Sequence, residues 1–204
     1  MNALAKPLFV FAHGAGAPSS HHWMRHWSEL LEGFGNVVTF DYPYLTERRK
    51  RPDPLPVLVE AHRVAIDTAR RLHLGPVVLV GKSMGGRVGC HVALIERVSA
   101  LVCLGYALCG GGDRSKLRDK VLRELATPVL FVQGTRDPLC PLDLLAEVRE
   151  KMHAPNALRI VEGGDHSLLV TKTHLKASSQ TQAQVDDGIL QTIQKFVQEH
   201  AKLG

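Results

Sequence analysis

No apolar run in this chain approaches the length of a membrane span, and the longest hydrophobic pieces, such as PVVLV and PVLFV, are strand-sized. The early LFVFA is too short for a secretory core segment and runs straight into a glycine-bearing turn, so a cytoplasmic protein is expected. Cysteine is scarce. Cys90, Cys103, Cys109 and Cys140 form no C-x-x-C pair and have no zinc-ligand spacing, which points to reduced, structural thiols. Aromatic residues make up only 5% of the chain, and none interleaves with its one basic run, ERRKRPD at 47–53. That run reads as a solvated loop, and a nucleic-acid partner is not expected. Repeats, linkers and a second composition regime are also missing, so one domain over 1–204 is expected.

What is present is ordinary for a globular protein: 45% hydrophobic residues, 22% charged residues and a net charge of +5. Nearly continuous apolar runs at 8–12, 37–41, 77–81, 100–104, 128–133 and 158–162 read as strands buried on both faces. Helical patterns fall between them at 22–33, 56–73, 84–97, 115–125 and 141–152, and a last one at 184–202 carries Ile189, Ile193, Phe196 and Val197 at helical spacing. The alternation predicts an α/β protein with a doubly wound, mainly parallel six-stranded sheet. The polar stretch 171–184 shows no periodicity and reads as a flap or a disordered loop.

The stretch VVLVGKSMGGRV at 77–88 admits two readings. Gly81-Lys82-Ser83 ends like a phosphate-binding loop, but that loop needs a glycine five residues earlier, where Pro76 stands. The intervening residues are also strand-formers, whereas a phosphate cradle needs backbone that can wrap an anion. The second reading is G-x-S-x-G, a sharp strand-to-helix turn presenting Ser83 as a nucleophile between small neighbours Gly81 and Gly85. A strand before it and a helix after it favour the second.

A serine hydroxyl needs a base, and the base needs an orienting acid. Asp137 follows PVLFVQG and His166 follows LRIVEGG, so Ser83, Asp137 and His166 each stand beyond the C-terminal end of a predicted strand. Asp165 and Asp113 are alternative acids with poorer chain positions. The turn HGAGAP after the first strand, starting at His13, is suited to an oxyanion hole made by the backbone N–H groups of Ala15 and Met84. Around it, His13, Gly14, Trp23, Tyr44, Tyr106 and Leu168 are candidate substrate-pocket residues, with Tyr42 a further aromatic in the same loops.

HGAGAP, GKSMGGR, GTRDP and GDHS together resemble the α/β-hydrolase superfamily over essentially the whole chain. More narrowly they resemble a group of small hydrolases related to testis-expressed hydrolase-like proteins and to a domain of a non-specific-lethal complex subunit. The resemblance implies the α/β-hydrolase fold, strand order 2-1-3-4-5-6, helices on both faces and no large lid domain. It implies a serine hydrolase of a small-molecule ester or acyl substrate, with no cofactor. A peptidase or amidase, or an interaction module that has kept the fold, are the competing readings. His22 and His26 could share a metal on one helix face, but no carboxylate or cysteine near them in sequence completes a set. A helix start capped by Ser19 or Ser20, with Trp23 and Trp27 turned inward, is the preferred reading, and no metal site is expected.

Overall fold

The computed structural model describes residues 6–201. In chain order its elements are β1 (Leu8–Ala12), α1 (His22–Glu32), β2 (Asn36–Phe40), α2 (Pro43–Thr46), α3 (Leu55–Leu72), β3 (Val77–Lys82), α4 (Met84–Val92) and β4 (Ala100–Leu104). There follow β5 (Cys109–Gly110), β6 (Asp113–Leu117), α5 (Lys120–Glu124), β7 (Val129–Gly134), α6 (Leu142–Glu150), β8 (Asn156–Val161), α7 (Lys172–Ala177) and α8 (Gln182–His200). Six strands form one parallel sheet in the order β2-β1-β3-β4-β7-β8.

Strand side chains alternate between the two faces, and the continuous apolar runs feed two separate cores. Leu8, Val10, Val77 and Leu79 pack with Leu58 and Ile66 of α3, Val88 of α4 and Leu145 of α6. Phe9, Phe11, Val78 and Val80 pack with Trp23 and Trp27 of α1 and with Ile189, Ile193 and Phe196 of α8. This is the α/β-hydrolase fold, in the strand order that the resemblance implied. No large cap covers the sheet edge; between β4 and β7 the chain makes only the β5–β6 hairpin and α5.

The differences from the sequence reading are local. Residues 115–117 belong to a strand rather than a helix, because Gly111 and Gly112, at φ 64° and 79°, turn the chain into an antiparallel hairpin. Helix α4 stops at Val92 instead of running to 97. Glu96 beyond it pairs with Arg63 and Arg70 of α3. The stretch 171–184 is not a disordered loop: Thr171 caps α7, and Thr181 with Gln184 forms a reciprocal capping box at the start of α8. Short capped helices leave no long hydrophobic period, so polarity misled the reading. The cap of α1 is His21, whose Nδ1 accepts from the Trp23 N–H at 3.3 Å, rather than Ser19 or Ser20.

Candidate active site

Strand β3 is buried along Val77–Gly81 and breaks at Ser83, which is held at φ 52°, ψ −110°, a strained conformation for a non-glycine residue. Strand and helix approach so closely here that a Cβ on Gly81 would overlap the Gly86 amide, and one on Gly85 would lie 2.7 Å from the His13 carbonyl oxygen. Only glycine fits at either position. Ser83 thereby stands directly before the N-terminus of α4, with the positive end of the helix dipole behind it.

The loops after β7 and β8 bring two more side chains to Ser83. Ser83 Oγ lies 2.8 Å from His166 Nε2, and His166 Nδ1 lies 2.7 Å from Asp137 Oδ2. Asp137 is buried; its Oδ1 accepts from the Leu139 N–H at 2.8 Å and its Oδ2 also accepts from Gln133 Nε2. Gln133 is a residue the sequence reading overlooked. It is fully buried, and its Oε1 accepts from the Tyr106 N–H at 3.0 Å, so its orientation is fixed. A lone polar side chain inside the apolar strand PVLFVQG was the available signal. The alternative acids are occupied elsewhere: Asp165 Oδ1 accepts from the Ser167 and Leu169 amides, and Asp113 binds Ser115 and Lys116.

The loop carrying His166 is held from three sides. Lys82 Nζ donates to the His166 carbonyl, Trp23 Nε1 donates to the Ser167 carbonyl at 2.9 Å, and Gln182 Nε2 donates to the Leu168 carbonyl at 3.1 Å. Three consecutive carbonyls are thus fixed by donors from β3, α1 and α8. Lys82 also sits 5.3 Å from the centre of the Trp23 ring. Burial pushes its ammonium down to about 8, against an upward pull from Asp137 and Asp165. This lysine lines the site. Gly134, where β7 ends, meets the same loop: a Cβ there would lie 2.5 Å from the Asp165 carbonyl oxygen. Gly134→Ala is therefore expected to push His166 out of register and lower kcat about 100-fold on an ester substrate, measured with a folded variant.

On the opposite side, a Cβ on Gly14 would lie 3.6 Å from Ser83 Cβ, which puts the 13–17 turn against the nucleophile. Among the described residues, the Ala15 and Met84 N–H groups donate to no protein acceptor. Residues 14–17, His21, Trp23, Met24, Lys82, Ser83, His166 and Ser167 line a cavity of about 300 Å³.

Of the candidate pocket residues, Gly14 and Trp23 line this cavity and four do not. His13 is fully buried. Its Nδ1 donates to the Gly14 carbonyl at 2.6 Å and its Nε2 accepts from the Tyr42 N–H at 3.1 Å, which fixes the neutral tautomer. Burial lowers its pKa in the same sense. Tyr44 is buried behind the turn and donates from its hydroxyl to the Ala15 carbonyl at 2.9 Å, with its own pKa raised by burial to about 12. Tyr106 packs edge-on against Phe131 and donates to the Arg118 carbonyl at 3.1 Å. Leu168 is buried at φ 64° in the His166 loop. All four support the loops from behind, because an aromatic or apolar side chain next to a catalytic loop gains more from core packing than from facing water. His26 lies 2.9 Å from Asp186, and among the described residues no three His, Cys, Asp or Glu side chains converge as a metal site.

A nucleophile elbow on the central strand, with its histidine and carboxylate on later strand ends of a parallel sheet, is the arrangement that defines the α/β-hydrolase class. The chain belongs to the α/β hydrolase domain family, whose profile matches residues 5–198. Solved structures agree in fold. Est1E from Butyrivibrio proteoclasticus with ferulic acid bound is 18% identical, over 94% of this chain and 91% of that one, with a TM-score of 0.68. Dienelactone hydrolase from Anabaena variabilis is 21% identical over 97% and 88%, with a TM-score of 0.69. A putative α/β hydrolase from Agrobacterium tumefaciens is 11% identical over 100% and 91%, with a TM-score of 0.74.

Proposed function

We propose that the chain is a serine hydrolase that cleaves a carboxylic ester or thioester through an acyl-enzyme on Ser83. The observation that carries this reading is the unbroken line from Ser83 Oγ through His166 to Asp137, at 2.8 and 2.7 Å. Ser83 Oγ attacks the carbonyl carbon while His166 Nε2 takes its proton, and Asp137 holds the imidazole and steadies the imidazolium. The carbonyl oxygen, now carrying the negative charge, is met by the Ala15 and Met84 N–H groups. Collapse breaks the bond to the alcohol or thiol, which leaves with the proton from His166. Water, deprotonated by the same histidine, then releases the acid and restores Ser83. Two of the similar structures are named as Est1E with ferulic acid bound and as a dienelactone hydrolase, which favours oxygen esters. The four free cysteines are all buried, in keeping with reduced thiols in the cytoplasm. Among the described residues no helix is long and apolar enough to cross a membrane.

The test is labelling by a fluorophosphonate, which needs an activated serine and no knowledge of the substrate. Wild type is expected to be labelled within minutes and Ser83→Ala not at all. Equal labelling of both, or of neither, refutes the reading. A series of p-nitrophenyl esters beside peptide anilides then separates an esterase from an amidase.

A further inference from the structure

The wall of the cavity beside Ser83 carries positive charge and no negative charge. Its lining includes Lys82 and two histidines, His21 and His166, and no Asp or Glu. The ammonium of Lys82 lies between His166, whose carbonyl it binds, and the Trp23 ring 5.3 Å away, and both of those residues face the cavity. Among the described residues Lys82 forms no ion pair. The nearest carboxylates are otherwise engaged: Asp137 by His166, Gln133 and Leu139, and Asp165 by two backbone amides. A largely desolvated ammonium with one carbonyl partner has two N–H groups and a full charge left to offer.

A second feature points the same way. The basic run 47–53 is fastened to the oxyanion turn through Tyr44. The Tyr44 hydroxyl donates to the Ala15 carbonyl at 2.9 Å, its N–H donates to Asp53 at 2.9 Å, and its carbonyl accepts from the Arg49 N–H at 2.6 Å. Arg49 is matched by Glu47 and Asp53, but Arg48, Lys50 and Arg51 are exposed and form no ion pair among the described residues. These three unmatched cations stand on the stretch tied to the oxyanion turn, where they add to the attraction for anions.

We propose that the site selects an ester or thioester whose acyl group carries a carboxylate, with Lys82 as the residue that binds that carboxylate. This deepens the serine-hydrolase reading and names its substrate class. The acyl carboxylate takes the free N–H groups of Lys82 while the reacting carbonyl faces Ala15 and Met84. Its negative charge also compensates the buried ammonium, which an uncharged acyl chain leaves unmatched. Because burial holds Lys82 near 8, the preference is present below that pH and is lost as the amine discharges above it.

The experiment compares p-nitrophenyl hydrogen glutarate with p-nitrophenyl methyl glutarate, equal in chain length and leaving group but different in charge. Wild type is expected to favour the anionic ester at least about tenfold in kcat/KM at pH 7, as a site built for a polar group rejects its uncharged analogue. Lys82→Met lowers both rates by loosening the His166 loop, so the ratio is the readout; it falls to about one, while Lys82→Arg keeps a preference for the anion. A wild-type ratio of one, or a ratio that survives Lys82→Met, overturns the proposal. A second arm needs no turnover: by calorimetry, Ser83→Ala binds monomethyl glutarate more tightly than dimethyl glutarate, and Ser83→Ala/Lys82→Met does not. If neither ester is cleaved but this binding preference holds, the hydrolase reading fails and the anion site stands. If the preference is absent, the anion site fails whatever the kinetics.

Discussion

Asp137→Asn is expected to reduce kcat about ten-thousandfold while leaving the fold intact, as the loss of a triad carboxylate does when geometry is kept. The reason lies in what faces the carboxylate. Its Oδ1 accepts from the Leu139 backbone N–H, which can only donate. Its Oδ2 accepts from His166 Nδ1 and from Gln133 Nε2, and Gln133 cannot turn its amide over because its Oε1 is already taken by the Tyr106 N–H. An asparagine therefore sets its NH₂ against a donor whichever way it sits, and in neither orientation does it bring a negative charge to steady the imidazolium. Where the NH₂ faces His166, the imidazole must also present a bare Nδ1, which moves its proton to Nε2, and that nitrogen can then no longer accept the Ser83 proton. Steady-state kinetics on a p-nitrophenyl ester, beside a thermal melt, check this. A loss under tenfold with an unchanged melting temperature refutes the role given to Asp137. Gln133→Leu makes a useful companion: it frees Oδ2 of its second donor without touching the histidine, and a smaller loss is expected.

The parts of this molecule legible in the sequence are those where one strong physical pattern acts alone. Each strand of the main sheet is covered on both sides, so its apolar run stands out, and the run Val77–Val80 ending in Gly81 announces both the strand and the turn. The turn residues Ser83, Asp137 and His166 could be placed because each follows such a run, and the structure brings the three within hydrogen-bond reach. What stayed hidden depends on three-dimensional competition. Tyr44 and Tyr106 looked like pocket aromatics, yet their rings found deeper burial than the cavity offers. The role of Lys82 could not be read from GKS, since it arises from a carbonyl 84 residues further along. Helix α7 is fixed by one cap and by its neighbours rather than by any period in its own residues.

Acid is expected to destabilise the protein strongly, and a single residue on α3 accounts for much of the effect. His62 is fully buried between Phe40 and Tyr42, and its Nε2 has no partner. Burial alone pushes its pKa down to about 3. In the unfolded chain the same ring titrates near 6.5, so below that pH the unfolded state takes up a proton that the folded state refuses. Stability is therefore complete above about 6.5 and falls steadily as pH drops toward 3, by ~5 kcal/mol over the whole window at about 1.36 kcal/mol per unit. At pH 4.5 the loss should already be roughly 2–3 kcal/mol, a large part of the stability of an ordinary domain. His13 and His91, both lowered by burial, act in the same direction, so removing His62 alone flattens the dependence without abolishing it. His62→Phe keeps a ring against Phe40 and removes the unpartnered nitrogen, but leaves the Tyr42 hydroxyl without its contact to Nδ1, 3.3 Å away. Those two changes oppose each other, and at pH 8 the variant should match wild type within about 1 kcal/mol. Urea unfolding at pH 8 and 4.5 provides the measurement. The variant should be the more stable of the two at pH 4.5, because the proton that favours the unfolded wild type has no ring nitrogen to bind.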